Sequence, residues 1–339
     1  MDQILISFCV TLYNVGEYAE NCFKSIIDQN LPQGSFEVVL CDDCSSDDTE
    51  KILASLVSRY PDVPVRIVRN EQNRGVSYSR NRLIKESNGR FVWFVDGDDM
   101  LAENSVKTYL EFLNSTECDV VLGDYYRFND GEENKLSASR SEAFEKADMN
   151  ALPTDQNGTR MCAVWCGAFR REFLIENDIK FNERMIAQED TLFYYETECC
   201  RPSVYKTRTV CYLYRQRQSS VMHTRSVERA KNYYLSMREM LRVYEYYRDS
   251  RKYINADVIE DKISHSRHNT ATCLSAVTDT GYVKSELKQL KKEKIYPYKF
   301  YTPILKKGFI RNLIPFLCPI QPFFWLNHFM YKIKYGKND

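Results

Sequence analysis

FVWFVDGDDM, residues 91–100, is the stretch on which the reading of this chain turns. Residues 91–95 form an unbroken apolar run of aromatic and β-branched side chains, the composition of a strand covered on both faces. The run empties into Asp96, Asp98 and Asp99. Carboxylates that close repel one another unless a cation or a basic ligand compensates them. In a parallel sheet, ligands sit beyond the carboxyl ends of the strands, and hard oxygen donors suit Mg2+ or Mn2+. A solvated acidic turn with Asp98 or Asp99 as a helix cap explains the same letters, so the flanking sequence has to arbitrate.

Upstream, residues 4–10, 36–41 and 65–68 read as short buried strands. A helix is expected over 17–29, with Ala19, Cys22, Phe23, Ile26 and Ile27 on one face, and another over 48–59, carried by Ile52, Leu53, Leu56 and Val57. NEQNRGVSYSRN, residues 70–81, leads into a third, with Gly75 punctuating its start. Downstream, residues 103–114 return as a helix to a strand at 120–123. Short strands alternating with helices mark βαβ units, an α/β fold with a mostly parallel sheet.

Beyond residue 124 the alternation breaks. Residues 129–160 read as a polar excursion over the ligand-binding edge, followed by a strand at 163–169, short helices at 171–177 and 187–200, and a strand at 204–214. The main domain is expected to span 1–220. From 226 the apolar period becomes helical, predicting helices over 226–248, 253–277 and 282–293 within a region, 221–300, that offers an acceptor or oligomer surface. In the tail, 301–339, Pro303, Pro315, Pro319 and Pro322 forbid one continuous helix. Its aromatics and leucines, flanked by Lys306, Lys307, Arg311, Lys332, Lys334 and Lys337, fit a segment lying in a membrane interface. A tail packed on the helices, or a surface for a homo-oligomer, would carry the same residues.

Composition excludes rather than identifies. The chain has 339 residues with 47 basic and 47 acidic side chains, a balance that gives no reason to expect a nucleic-acid partner. Its 12 cysteines show no disulfide spacing, and Cys41 with Cys44 or Cys162 with Cys166 lack the second pair and the histidines a zinc site needs, only 4 histidines being present. Free thiols in a reducing compartment are expected. The first residues lack the basic and apolar regions of an export signal, and no run of 18 apolar residues suggests a membrane-spanning helix.

Four strand-to-helix connections carry polar signatures: residues 11–14, 42–47, 73–82 and 96–99. A parallel sheet places all of them at one edge. Together they offer metal-binding carboxylates and arginines suited to bidentate phosphate contacts. Neither a G-x-G-x-x-G after the first strand nor a G-x-x-x-x-G-K-[ST] is present, which argues against a dinucleotide oxidoreductase and a P-loop phosphotransferase.

These blocks, TLYN, DDCSSDDT, NRGVSYSRN, FVDGDDM and a later QED at 188–190, follow an order that resembles family two of the inverting nucleotide-diphospho-sugar glycosyltransferases, which have the GT-A fold. The resemblance covers roughly residues 2–220. It implies transfer of a sugar from a nucleotide-diphosphate donor, most simply a UDP-sugar, to a hydroxyl of a glycan or lipid-linked oligosaccharide in bacterial surface-polysaccharide synthesis. It implies that Thr11 and Tyr13 line the base pocket, that Asp43 accepts from a uracil N–H, and that Arg80 approaches base or diphosphate while Asn81 braces its loop. Asp96 and Asp98 would form the D-x-D, Asp98 binding Mn2+ or Mg2+ directly, Asp96 lying nearer the ribose or sugar and Asp99 standing behind them. Of the acidic pair, Asp190 would be the base and Glu189 an orienting group, with the two roles exchangeable. Trp165 would stack on the acceptor sugar or else belong to the core. Arg215, Arg217 and Ser220 would contact phosphate, with His223 a candidate to join them. His265 and His268 share a helix face, expected to look onto an acceptor groove or lipid. The expected location is cytoplasmic, peripheral to the inner membrane, with a homo-oligomer possible.

Two other classes remain to be weighed. A sugar nucleotidyltransferase would open with a basic, glycine-rich loop, whereas TLYNVGEY contains no Lys or Arg. A silent binding or scaffold protein would have no need of intact carboxylates at Asp96, Asp98, Glu189 and Asp190.

Overall fold

The apolar runs on either side of the acidic turn become the centre of a sheet. β1 (Ile6–Leu12), β2 (Phe36–Asp42), β3 (Val65–Arg69) and β4 (Phe91–Asp96) are parallel neighbours in the order β3-β2-β1-β4. Crossover helices α1 (Gly16–Ile27), α2 (Thr49–Arg59) and α3 (Val76–Glu86) link them. α1 buries Ala19, Cys22, Phe23 and Ile26, the i, i+3, i+4 stripe that makes a helix pack on a sheet. The computed structural model describes residues 4–132, 142–217, 226–250, 256–296 and 324–330. It contains two compact units, one of residues Met1–Glu183 with Asp190–Gln218, the other of Arg184–Glu189 with Ser219–Asp339.

In the first unit the sheet continues past β4. After β5 (Met100–Leu101) and α4 (Ser105–Ser115) comes β6 (Val120–Asn129), and later β7 (Glu145–Ala147), β8 (Gly167–Arg170), α5 (Arg171–Glu176), α6 (Glu189–Cys199) and β9 (Val204–Gln216). The full order is β3-β2-β1-β4-β8-β6-β9-β5, with β7 also on β9. β8 runs antiparallel to both β4 and β6, β6 and β9 are parallel, and β5 and β7 pair antiparallel with β9. The mostly parallel α/β sheet therefore carries antiparallel additions. The strand expected over 163–169 begins only at Gly167, because Cys166 N donates to Ala163 O at 3.0 Å and closes a turn. Gly167 is required there: a Cβ at that position would overlap the carbonyl oxygen of Val121 on β6. Among the aromatics of the core, Trp93 packs between Phe8 and Tyr109, at ring separations of 6.1 and 4.8 Å.

The second unit is helical. α7 (Val227–Ser250), α8 (Ala256–Ser275) and α9 (Thr280–Lys292) follow one another, and residues 324–330 form a further helical stretch. Asp279 caps α9 by accepting from Tyr282 N at 3.0 Å. Arg238 of α7 clamps α9 through Glu286 and Glu293 at 2.8 and 2.6 Å. His268, expected on an outward face, is buried on α8, and burial together with neighbouring His265 lowers its pKa to about 4. Of the expected tail, only 324–330 lies within the described residues; there Phe324, Asn327 and His328 are buried and Leu326, Phe329 and Met330 exposed. No helix among the described residues is long and apolar enough to cross a membrane.

Candidate active site

The parallel register explains how distant residues meet. Thr11 on β1 pairs with Cys41 on β2 and with Asp96 on β4, so the connections that follow these strands leave from one edge. Thr11 Oγ1 donates to Asp96 Oδ1 at 3.1 Å. Asn14 and Asp47 tie two of the connections together: Asn14 Oδ1 accepts from Ser46 N at 2.8 Å, and Asp47 Oδ2 from Gly16 N at 3.0 Å. Tyr13 is exposed beside them.

Asp43 shapes the third connection. Its buried carboxylate accepts from Asn70 Nδ2 (2.7 Å), Arg74 N (2.9 Å) and Gly75 N (2.7 Å), which fixes the chain entering α3. Arg80 and Asn81, consecutive on α3, then have different duties. Asn81 accepts from Phe181 N and donates to Phe181 O, both at 2.8 Å, and donates to Glu183 Oε1 at 3.0 Å, so it braces the segment around residue 181.

Arg80 is the hub of the acidic cluster. Its side chain is buried, and its fork donates to Asp190 Oδ1 at 2.6 Å and to Asp96 Oδ1 at 3.0 Å. Divided charge-assisted bonds of this kind hold the two carboxylates at a fixed spacing. The ring of Phe181 lies under the guanidinium at 5.1 Å and stacks on Phe193 of α6 at 4.2 Å, while Tyr194 Oη donates to Ala163 O at 3.0 Å. α6 is thereby anchored, and Asp190 with it. Glu189, its neighbour, belongs to the second unit.

The DGDD turn is held from β9, more than a hundred residues later. Asp96 N donates to Tyr212 Oη at 3.0 Å, and that hydroxyl donates onward to Asp99 Oδ2 at 2.9 Å. Arg215 N donates to Asp99 Oδ1 at 2.8 Å and Arg215 Nε to Asp98 O at 2.7 Å. Burial, aggravated by Asp98 and Asp96, drives the Asp99 carboxyl well above the ordinary range. Arg215, expected on phosphate, is instead a buried strut, since its Nη1 also meets Asp130 Oδ1 at 2.8 Å. β5, which follows the turn directly, pairs with β9 at Met100–Leu213 and Leu101–Tyr212 and so brings the turn beside it. Asp98 projects differently: its Oδ2 meets Arg217 Nη2 at 2.5 Å, both side chains staying about one-fifth exposed at 21% and 20%. Burial raises the Asp98 carboxyl, with Arg217 opposing that shift.

Trp165 is a core residue rather than an acceptor platform. It is 4% exposed and stacks on Tyr212 at 4.2 Å and Tyr214 at 5.3 Å because the turn at 163–166 directs it under β9. Ser220 and His223 lie outside the described residues. Tyr212, Asp130 and Tyr18 were not expected in the site. Tyr18 Oη donates to Asp130 Oδ2 at 3.1 Å, and its ring underlies both Arg215 and Arg217. The inward period-two pattern of β9 was the signal available for Tyr212.

The donor set fits a divalent ion held jointly with a substrate. Among the described residues no group of three or more His, Cys, Asp or Glu side chains could hold a metal alone. Asp96 and Asp98 supply hard carboxylate oxygens, the number that suits Mg2+ or Mn2+ when phosphates and waters complete the shell.

The sequence profile of glycosyl transferase family 2 matches residues 7–177. Among curated relatives, the chain is 31% identical over 130 residues to glycosyltransferase GlyG of Streptococcus pneumoniae, covering 38% of this chain and 42% of that protein. It is 26% identical over 192 residues to the poly(ribitol-phosphate) β-N-acetylglucosaminyltransferase TarP of Staphylococcus aureus, covering 56% of each. The chain thus spans about half the length of these relatives. The crystal structure of S. aureus TarS 1–349 in complex with UDP-GlcNAc superposes with a TM-score of 0.62 over 99% of this chain and 92% of that one, at 18% identity. A mannosyltransferase from Pyrobaculum calidifontis, solved with GDP-Man and Mn2+, gives 0.50 over 100% and 89%, at 17%.

Proposed function

The chain belongs to glycosyl transferase family 2, and from that premise we propose that it moves a sugar from a UDP-sugar to a hydroxyl of a surface glycan or lipid-linked oligosaccharide, with inversion at the anomeric carbon. The observation that carries this is one buried arginine, Arg80, which bridges the donor-side carboxylate Asp96 and the carboxylate of Asp190. An in-line displacement needs those two functions at once, a leaving diphosphate on one side and a proton acceptor on the other. Asp190 takes the proton of the acceptor hydroxyl. The acceptor oxygen then bonds to the anomeric carbon as the bond to the diphosphate oxygen breaks, the electron pair departing with UDP.

Asp98 and Asp96 would hold Mn2+ or Mg2+, and the ion, when bound, stabilises the negative charge on the departing diphosphate. Tyr13 and the connection braced by Asp43 would border the base. The UDP named in the structure of TarS and the N-acetylglucosaminyl transfer named for TarP support UDP-GlcNAc as the first donor to try. The exposed apolar residues Leu326, Phe329 and Met330, followed in sequence by Lys332, Lys334 and Lys337, support contact with an anionic membrane surface, where a lipid-linked acceptor would reside.

Asp190→Asn separates the two halves of the site. Affinity for UDP-GlcNAc should change less than threefold, measured by calorimetry, while UDP release during turnover falls about 100-fold or more, the range of a lost general base. A variant with near-normal turnover would remove Asp190 from the role of base.

A further inference from the structure

Three arginines neutralise the acidic turn, and they are held in different ways. Arg80 is buried between Asp96 and Asp190, and Arg215 is buried against Asp98 O, Asp99 and Asp130. Moving either would dismantle the turn. Arg217 reaches the carboxylate of Asp98 with its terminal nitrogen at 2.5 Å and rests over the ring of Tyr18 at 5.2 Å. Its side chain is 20% exposed, and its Nε is buried without a hydrogen-bond partner among the described residues. A planar fork with a donor left unused is poorly satisfied by one carboxylate oxygen.

We propose that Arg217 is a resident counter-cation on the metal-ligating carboxylate of Asp98, and that it exchanges from Asp98 to the diphosphate when metal and nucleotide arrive together. The inference rests on the donor site described under the proposed function. A divalent ion on Asp98 would share the carboxylate that Arg217 engages through Oδ2, and two cations on one carboxylate repel. The ion alone drives Arg217 toward water, whereas the ion with a diphosphate gives the guanidinium a bidentate anionic partner. Metal and nucleotide affinities are therefore coupled through Arg217, and by linkage the coupling is reciprocal.

The test is Mn2+ binding, followed by the electron paramagnetic resonance signal of the free ion, with and without saturating UDP. For the unmodified protein, UDP should tighten Mn2+ binding within the usual range of coupling, about 5–150-fold. Arg217→Gln should bind Mn2+ without UDP about fivefold more tightly than the unmodified protein, the size expected from release of a solvent-accessible ion pair, and should show weaker coupling. Arg217→Lys, which keeps the charge and loses the fork, should fall between them. Asp98→Asn should lose Mn2+ in both conditions. An unchanged affinity in Arg217→Gln without UDP, or an equal rise with and without UDP, would overturn the exchange while leaving the donor site standing. Absence of Mn2+ binding in every protein, with UDP present, would overturn the metal reading and the exchange together.

Discussion

Glu37 and Arg80 show how single buried charges organise this chain. Glu37 lies at the opposite end of β2 from the site, 4% exposed, accepting from Ser7 Oγ and Asn88 N, each at 2.6 Å, and from Arg66 at 3.3 Å. Burial raises its pKa, but the bonds from Ser7 and Asn88 and the charge of Arg66 prevail and hold it below the ordinary carboxylate range. A carboxyl depressed in the folded state adds stability above its unfolded pKa and loses it as pH falls through the folded value. Glu37→Gln should therefore cost about 1–3 kcal/mol at pH 7, and the gap to the unmodified protein should narrow below the ordinary carboxylate range. Thermal melts from pH 7 down to about pH 3 check this, and a gap constant with pH would show that Glu37 acts without its charge. At this scale the sequence announced carboxylates through abrupt changes of polarity, as at Asp96, Asp98 and Asp190. Their partners were less legible. Arg215 and Tyr212 meet the turn across more than a hundred residues, a separation closed by the pairing of β9 with β5 and β6.

Among elements, those defined by apolar periodicity were read from the sequence with ends displaced by a few residues. β1, β2, β4 and the helices among the first four strands each bury a stripe long enough to show, whereas β3, expected as a buried strand, lies at the sheet edge with no residue buried and Ile67 exposed. β5 and β7 have two and three residues, too few for any period, and exist because β9 offers an edge. Trp165 was ambiguous for a related reason: a tryptophan before a strand reads alike whether it faces a sugar or a core, and the turn at 163–166 decides. The helical stretch 324–330 makes its own prediction. Asn327 donates to Ser275 Oγ at 2.6 Å on its buried side, while Leu326, Phe329 and Met330 are exposed at 44%, 59% and 46%. Replacing those three by Ser should leave the melting temperature within a few degrees, since exposed positions contribute little, and should reduce co-sedimentation with anionic liposomes severalfold. Unchanged co-sedimentation would show that this face does not meet lipid.

For the whole molecule, family and fold were legible because four polar blocks fall in order at successive strand-to-helix connections, which a parallel sheet gathers at one edge, and a fifth opens α6. What the linear sequence did not reveal is the charge balance there, with Arg80, Arg215 and Arg217 already answering Asp96, Asp98, Asp99 and Asp190. Under the exchange proposed for Arg217, that balance would make donor recognition depend on metal and diphosphate acting together. The most direct measurement is a thermal-shift screen of the purified protein against UDP, GDP, CDP and dTDP and their common sugars, with and without Mn2+ or Mg2+. A ligand that binds only the folded state raises its melting temperature by mass action. UDP-sugars should stabilise the protein by several degrees only when the ion is present, and Asp98→Asn should abolish the effect; stabilisation by no nucleotide sugar, or stabilisation that persists undiminished in Asp98→Asn, would contradict the donor site described here.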